Sequence, residues 1–378
     1  MQTYGTIEEL CHIEYGTRVV KKNVKGNDYP VYGGGGESFR IEKFNRISRL
    51  VISRFGMSSK CTRFVEGKFF LNDSGLTLSP KNKNLSQEYL DKLILGLNNK
   101  IFSLGTGSAQ KNLSLHKFRI LNISYPSLQE QKRIVVDIND AFFEIDKLIE
   151  TARYKCKNST KIFDNYLSNI FQTNNSAWEK ESLKNVTLKI GSGATPKGGK
   201  DSYKKEGIAL IRSMNVRDLY FKQKDLARID NEQARKLSNV ELKANDILLN
   251  ITGASVARCC LVQSNFLPAR VNQHVSIIRL KEKTVIPKFL MYGLVSKPYK
   301  DELLQVGANN GATRQAITKK QIEEFEFKYP SNLEIQTEII YKLEKIYTYS
   351  ENIEKIYKNQ INLYEVLKSA IFSRELKI

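Results

Sequence analysis

The sequence predicts an α/β protein. Two globular mixed α/β blocks in tandem repeat are separated by two long α-helices that form an antiparallel coiled coil. Three observations predict this: an internal repeat about 200 residues apart, a heptad seam in each of two segments, and basic charge confined to the remaining two segments. The expected boundaries are 1–126 and 176–330 for the globular blocks, and 127–175 and 331–378 for the helices.

The repeat is clearest around the end of each block. Gly107-Ser108-Ala109-Gln110-Lys111-Asn112-Leu113-Ser114 precedes Tyr125-Pro126-Ser127, and Gly311-Ala312-Thr313-Arg314-Gln315-Ala316-Ile317-Thr318 precedes Tyr329-Pro330-Ser331. The offset holds at 204 without a gap until Asn332, one inserted residue, makes it 205. Upstream, Leu50–Gly56 resembles Ile247–Gly253, and Pro30-Val31-Tyr32 resembles Ala209-Leu210-Ile211, in the same order. A preserved order of matches marks a duplication. Within the blocks, β-rich runs such as Arg49–Phe55, Asp246–Ile251 and Val275–Leu280 are separated by Gly, Asn and Pro. Helical stretches are expected at Ser86–Leu97 and Pro287–Leu294.

The intervening segments read as long helices. Ile138, Phe142, Ile145, Ile149, Ala152, Cys156, Ser159, Phe163, Tyr166 and Ile170 recur in steps of four and three. Ile339, Leu343, Ile346, Ser350, Ile353, Tyr357, Gln360, Tyr364, Leu367 and Ile371 do the same. Such seams pair helices. About 40 residues make a rod of roughly 60 Å. Ser127 and Ser331, each after a proline, are the expected N-caps. Ser159, Ser350 and Gln360 interrupt the seams and are expected to tune register. The ends at Phe171 and Phe372 sit at offset 201, so the first helix should be about one turn longer.

The formal charge of +20 divides as +9 on 1–126, zero on 127–175, +11 on 176–330 and zero on 331–378. Neither a basic tail nor a single basic helix explains it. Two basic modules point to a polyanion, nucleic acid first. A membrane role is excluded by the lack of any apolar run near the length of a span, which needs about 18 residues. The N-terminus lacks the charged and apolar regions of a signal peptide. Five cysteines, Cys259 and Cys260 adjacent and Cys11, Cys61 and Cys156 scattered, form no disulfide framework and fit a reducing, cytoplasmic setting. The three histidines, His12, His116 and His274, lie far apart, so no zinc site and only unrelated surface or core histidines are expected.

Several segments resemble the specificity subunit of type I restriction–modification enzymes. They are Ile190-Gly191-Ser192-Gly193-Ala194-Thr195-Pro196-Lys197, Leu210-Ile211-Arg212-Ser213-Met214-Asn215-Val216, Asn245–Gly253, Val271-Asn272-Gln273-His274-Val275 and Gly107–Arg133. Their order, spacing and repetition around two long helices make the combination specific. The resemblance covers essentially the whole chain. It implies that each block is a target recognition domain in a pseudo-twofold tandem repeat. It also implies that the paired helices space the domains along a bipartite double-stranded DNA target and dock two methyltransferase subunits. Restriction/translocase subunits would complete the enzyme. It implies no cofactor on this chain, with S-adenosylmethionine in the methyltransferase. The first block departs from the pattern. It has Tyr15-Gly16-Thr17-Arg18-Val19 in place of the Gly-Ser-Gly-Ala-Thr-Pro start, and a Tyr32–Gly36 glycine run.

Catalytic constellations are missing. Gly191–Lys200 approaches a P-loop, but Ala194 stands for its first Gly and Asp201 for its Ser/Thr. No Asn-Pro-Pro-aromatic element is present for amino-methyl transfer. Glu66-Gly67-Lys68 and Glu241-Leu242-Lys243 have no partner acid to make a nuclease. The expectation is therefore a non-catalytic DNA reader, with a coiled-coil adaptor binding RNA or acidic proteins as the alternative. Phosphates call for Lys and Arg, and base edges for Arg, Asn, Gln, Ser and Thr. In the first block the candidates are Arg18, Tyr32, Arg54, Ser58, Lys60, Arg63, Asn72, Gln110 and Lys111. In the second they are Lys197, Lys200, Arg212, Asn215, Arg217, Ser255, Arg258, Asn272, Gln273, Arg314 and Gln315. Gly191, Gly193 and Gly253 are expected to shape turns. Trp178 is expected to anchor the second block to a helix.

Overall fold

A two-stranded antiparallel sheet closes each block, and it joins the block's first strand to its last. Thr3–Thr6 pairs with Asn122–Tyr125, and Glu179–Ser182 pairs with Glu326–Tyr329. The computed structural model describes residues 2–108, 110–172, 177–196, 198–308 and 316–378, without the side chains of Asn23 and Lys200. The chain forms two compact units, 1–153 with 358–378, and 154–357. Each unit takes one block and a portion of each long helix, so its limits differ from those of the four sequence segments.

The duplication is visible in the sheets. In the first unit, six strands lie in the order Cys11–Tyr15, Gly75–Pro80, Arg46–Ser53, Thr62–Leu71, Tyr29–Gly33 and Gly36–Ile41. In the second, Thr187–Ser192, Val275–Leu280, Ile247–Asn250 and Cys259–Leu261 form one sheet, and Ala269–Val271, Ile208–Ile211 and Ala227–Ile229 another. The order is the same, but the long strand Thr62–Leu71 is replaced by two short ones. Between them lies Val262–Pro268, whose proline lacks the N–H a ladder needs. The faint repeats fall in register. Val31 pairs with Phe70 and Leu210 with Arg270, both in parallel. Ile52 pairs with Leu76 and Leu249 with Ser276, both antiparallel.

The expected helices form at Gln87–Gly96, with Ser86 capping Tyr89 N, and at Pro287–Val295, with proline at its first turn. Each packs beneath its sheet. Leu90, Leu93 and Ile94 bury against Ile52, Leu76 and Leu78 in the first core. Phe289, Leu290 and Leu294 bury against Ile247, Leu249 and Ile278 in the other.

The long helices run over Leu128–Gln172 and Leu333–Leu376, 45 and 44 residues. Comparing their ends would need Thr173–Ser176, which lie outside the described residues. Inside each unit the two helices pair antiparallel. In the first, Phe142 meets Phe372 edge-on at 4.7 Å and Lys368 Nζ reaches Asp146 Oδ1 at 2.5 Å. In the second, Phe163 meets Tyr347 at 5.0 Å. The seam serines meet there as well: buried Ser350 donates to the Ser159 carbonyl at 2.5 Å, and Ser159 donates to Cys156 O. Two small residues at one crossing let the backbones approach.

Two expectations need correction. Leu367 is exposed, and Lys368 takes the inward position, followed by Phe372. A helix of 3.6 residues per turn drifts from a 3.5-residue repeat, so steps of four replace a step of three. The second helix is capped by the inserted Asn332, whose Oδ1 accepts from Glu334 N at 2.7 Å, and not by Ser331. Ser127 does cap the first, accepting from Glu130 N at 3.5 Å.

Candidate nucleic-acid interface

In the second block, three loops and one turn converge at one end of the strands. Gly193 follows Thr187–Ser192 and donates its N–H to Asn272 O at 3.1 Å. A methyl group there would sit 1.8 Å from Val271 O, so only glycine permits this approach. The loop after Ile247–Asn250 turns at Gly253, φ +71°, and again at Ala257, φ +64°. It is tied down by Ile251 N to His274 O at 3.0 Å and by Asn250 N to Arg258 O at 2.9 Å. Asn250 Nδ2 donates to Ser213 O at 2.9 Å and fixes the loop after Ile208–Ile211. The result is an open groove of about 540 Å³ lined by Ser213, Met214, Arg217, Thr252, Ser255, Arg258 and His274. Among the described residues, neither Arg217 nor Arg258 has a carboxylate partner. By contrast, Arg270, Arg279 and Lys300 pair with Glu241, Asp246 and Asp218.

The first block converges in the same way. A methyl group on Gly16 would lie 2.0 Å from Asn72 O, the counterpart of the Gly193 contact. Met57 N donates to Lys111 O at 2.8 Å and Gly56 N to Asn112 Oδ1 at 3.1 Å, which seats the Arg54–Lys60 loop on the Gln110–Asn112 segment. Arg54 lies over Tyr15 at 4.6 Å and Phe55 at 4.9 Å, and donates to Asp73 O at 2.9 Å. Arg63 donates to Gly34 O at 2.7 Å within the glycine turn. Lys111 lies 4.0 Å over Phe102. Arg18, Ser58, Lys60 and Gln110 are exposed, and Gln110 lies over Gly56.

Several expected contacts are spent on structure. Asn215 is fully buried, accepting from Arg212 N and donating to Lys222 O. Asn272 is buried and accepts from His274 N at 3.1 Å. Asn72 donates to Val19 O and accepts from Asp73 N. Tyr32 packs edge-on against Phe69. A side-chain amide imitates a backbone partner in a tight turn, so Asn215, Asn272 and half-buried Asn72 shape the loops that carry them. Arg212 donates to Asp225 O at 2.5 Å and lies over Tyr203, and it has no carboxylate partner among the described residues. Gln273 is exposed, and Ser255 lies in the groove. Lys197, Arg314 and Gln315, and the side chain of Lys200, lie outside the described residues.

Sequence reasoning passed over a polar network. His274 Nδ1 lies 2.6 Å from Thr252 Oγ1, His274 Nε2 lies 3.2 Å from Gln273 Nε2, and Thr195 donates to Gln273 Oε1. Its signal was the adjacency of Gln273 and His274 in a motif-bearing turn. Trp178 does anchor the block, packing on Phe171 of the long helix and on Phe289.

Burial pushes the Cys260 thiol up to about 12 and Cys259 well above its usual range, so neither is a thiolate near neutrality. Among the described residues no three His, Cys, Asp or Glu side chains are placed to hold a metal ion. No helix among them is long and apolar enough to cross a membrane. The arrangement offers hydrogen-bonding and cationic groups on glycine-shaped loops.

This is the two-block, two-helix specificity-domain fold. Residues 3–155 and 167–363 each match the type I restriction modification DNA specificity domain, and the chain belongs to that family. It is 24% identical over 292 residues to the type I restriction enzyme StySPI specificity subunit of Salmonella potsdam, covering 74% of this chain and 62% of that one. It is 26% identical over 173 residues to the EcoBI specificity subunit of Escherichia coli, covering 46% and 35%. The chain thus spans about six-tenths or less of the length of these curated relatives. Two solved structures share the fold. One, from work on complex assembly and conformational transition of the type I R-M system, has a TM-score of 0.72 at 15% identity, covering 99% of this chain and 97% of that one. The HsdS subunit from Thermoanaerobacter tengcongensis has a TM-score of 0.53 at 15% identity, covering 99% and 96%.

Proposed function

We propose that this chain is the non-catalytic DNA-reading subunit of a type I restriction–modification enzyme. Each block reads one half of a bipartite duplex target. The long helices set the spacer and dock two methyltransferase subunits, to which restriction/translocase subunits add. S-adenosylmethionine belongs to the methyltransferase on this reading, and the buried free cysteines suit a reducing cytoplasm. One observation carries the proposal: both blocks of a matched specificity-domain pair gather cationic and amide side chains on loops at the same end of the duplicated sheet.

The test is binding of the chain, with its methyltransferase partner, to duplex DNA and to RNA over a range of salt. A steep salt slope with preference for duplex DNA is expected. Equal competition by RNA would instead favour an RNA-binding adaptor. Arg258→Ala is expected to cost about 1–3 kcal/mol of affinity and to relax one position of the second half-site. Uniform weakening, with the salt slope reduced by about one, would assign Arg258 to a phosphate.

A further inference from the structure

We propose that Gln273 reads an adenine in the half-site of the second block, and that His274 is a positioning residue that fixes the Gln273 amide. The inference rests on the DNA-reading function above and names the base that one exposed side chain takes.

An amide nitrogen only donates, so at 3.2 Å from Gln273 Nε2 the imidazole Nε2 must accept. The ring proton therefore sits on Nδ1, facing Thr252 Oγ1 at 2.6 Å. At the other end of the amide, the Thr195 hydroxyl donates to Gln273 Oε1. The imidazole is itself held, because His274 N donates to Asn272 Oδ1 and His274 O accepts from Ile251 N. A flipped amide would need the other tautomer and both threonine hydroxyls reversed, and it would still leave one N–H and one oxygen lone pair free. Both polar ends of the Gln273 side chain are thus held by Thr195 and His274.

One N–H and one oxygen lone pair of Gln273 remain, on an exposed side chain beside the groove that holds Arg217 and Arg258. That pair complements adenine, which offers the N7 acceptor and the N6 donor in the major groove. Guanine offers two acceptors there and opposes the amide oxygen. An amide oriented before binding loses little freedom on contact, which sharpens the choice.

The experiment selects bound duplexes from a randomised pool, using the full chain with its methyltransferase partner. Wild type is compared with Gln273→Glu, Gln273→Met and His274→Phe, and thermal midpoints are recorded. In wild type, one position of the second half-site should favour adenine by about tenfold or more. Gln273→Glu should move that position to cytosine, whose N4 donates to a carboxylate. His274→Phe should leave the rest of the motif intact and reduce the adenine preference below about threefold. Gln273 is exposed, so its two variants keep the fold and decide the matter even where His274→Phe does not. An adenine preference that survives in Gln273→Met, or equal weakening at every position, overturns the proposal. A wild-type chain that selects no split motif contradicts the DNA-reading function itself. A split motif indifferent to Gln273 overturns this assignment alone.

Discussion

Asp246→Ala is expected to destabilise the second block by about 3–5 kcal/mol, because it strands a largely buried arginine. Asp246 is fully buried. Its carboxylate takes Arg279 in a two-pronged pair, Nε to Oδ1 and NH2 to Oδ2, both at 2.7 Å. The same Oδ2 accepts from Lys243 N at 2.7 Å. Alanine would leave this amide and the guanidinium without their acceptor, and Arg279 would keep only the Glu241 carbonyl at 2.9 Å. The residue stands just before strand Ile247–Asn250, which leads into the Gly253–Arg258 loop, so the loss propagates to the groove. Denaturant unfolding followed by the fluorescence of Trp178, the only tryptophan and part of the second core, reads this unit. Asp246→Leu combined with Arg279→Met should recover most of the loss, since a packed apolar pair replaces an ion pair without stranded charge. A change under about 1 kcal/mol for Asp246→Ala would show the pair to be dispensable.

Gln131→Met and Gln336→Met are each expected to cost about 2–3 kcal/mol, in different units. Both glutamines are fully buried near the start of a long helix. Gln131 accepts from Ser86 N at 2.8 Å and donates to Asn84 O and Pro126 O. Gln336 accepts from Ile286 N at 2.8 Å and donates to Thr284 O and Pro330 O. Each clamps a long helix to the start of a shorter one, Gln87–Gly96 or Pro287–Val295. Methionine keeps the volume, so the loss reports unsatisfied backbone groups and not a cavity. Gln336→Met should shift the Trp178 transition. Gln131→Met should instead speed hydrogen exchange in Gln87–Gly96 and leave Trp178 unmoved. A shift of the Trp178 transition by Gln131→Met would show that the clamps do not act unit by unit.

These two clamps also show what was legible in the sequence. Gln131 and Gln336 sit at the repeat's offset of 205, and the tandem order of strands followed from faint matches such as Leu50–Gly56 with Ile247–Gly253. Heptad seams gave both long helices because packing period and sequence period agree over many turns. Side-chain destinations were less legible. Asn215, Asn272 and Gln273 share a residue class and similar loop positions, yet two are buried on backbone partners and one is exposed. That difference depends on where the chain turns, and it is set by long-range contacts such as Gly193 against Val271. His274 reads as an unrelated histidine for lack of metal spacing, because its partner Thr252 comes from a different loop.

If two DNA-reading blocks act on one target, the positions methylated in DNA from cells that express this chain with its methyltransferase will show it. A split motif with two defined halves and a fixed, non-specific spacer is expected, in which second-block variants such as Arg258→Ala alter one half only. A single continuous motif, or changes in both halves from a second-block variant, would contradict it.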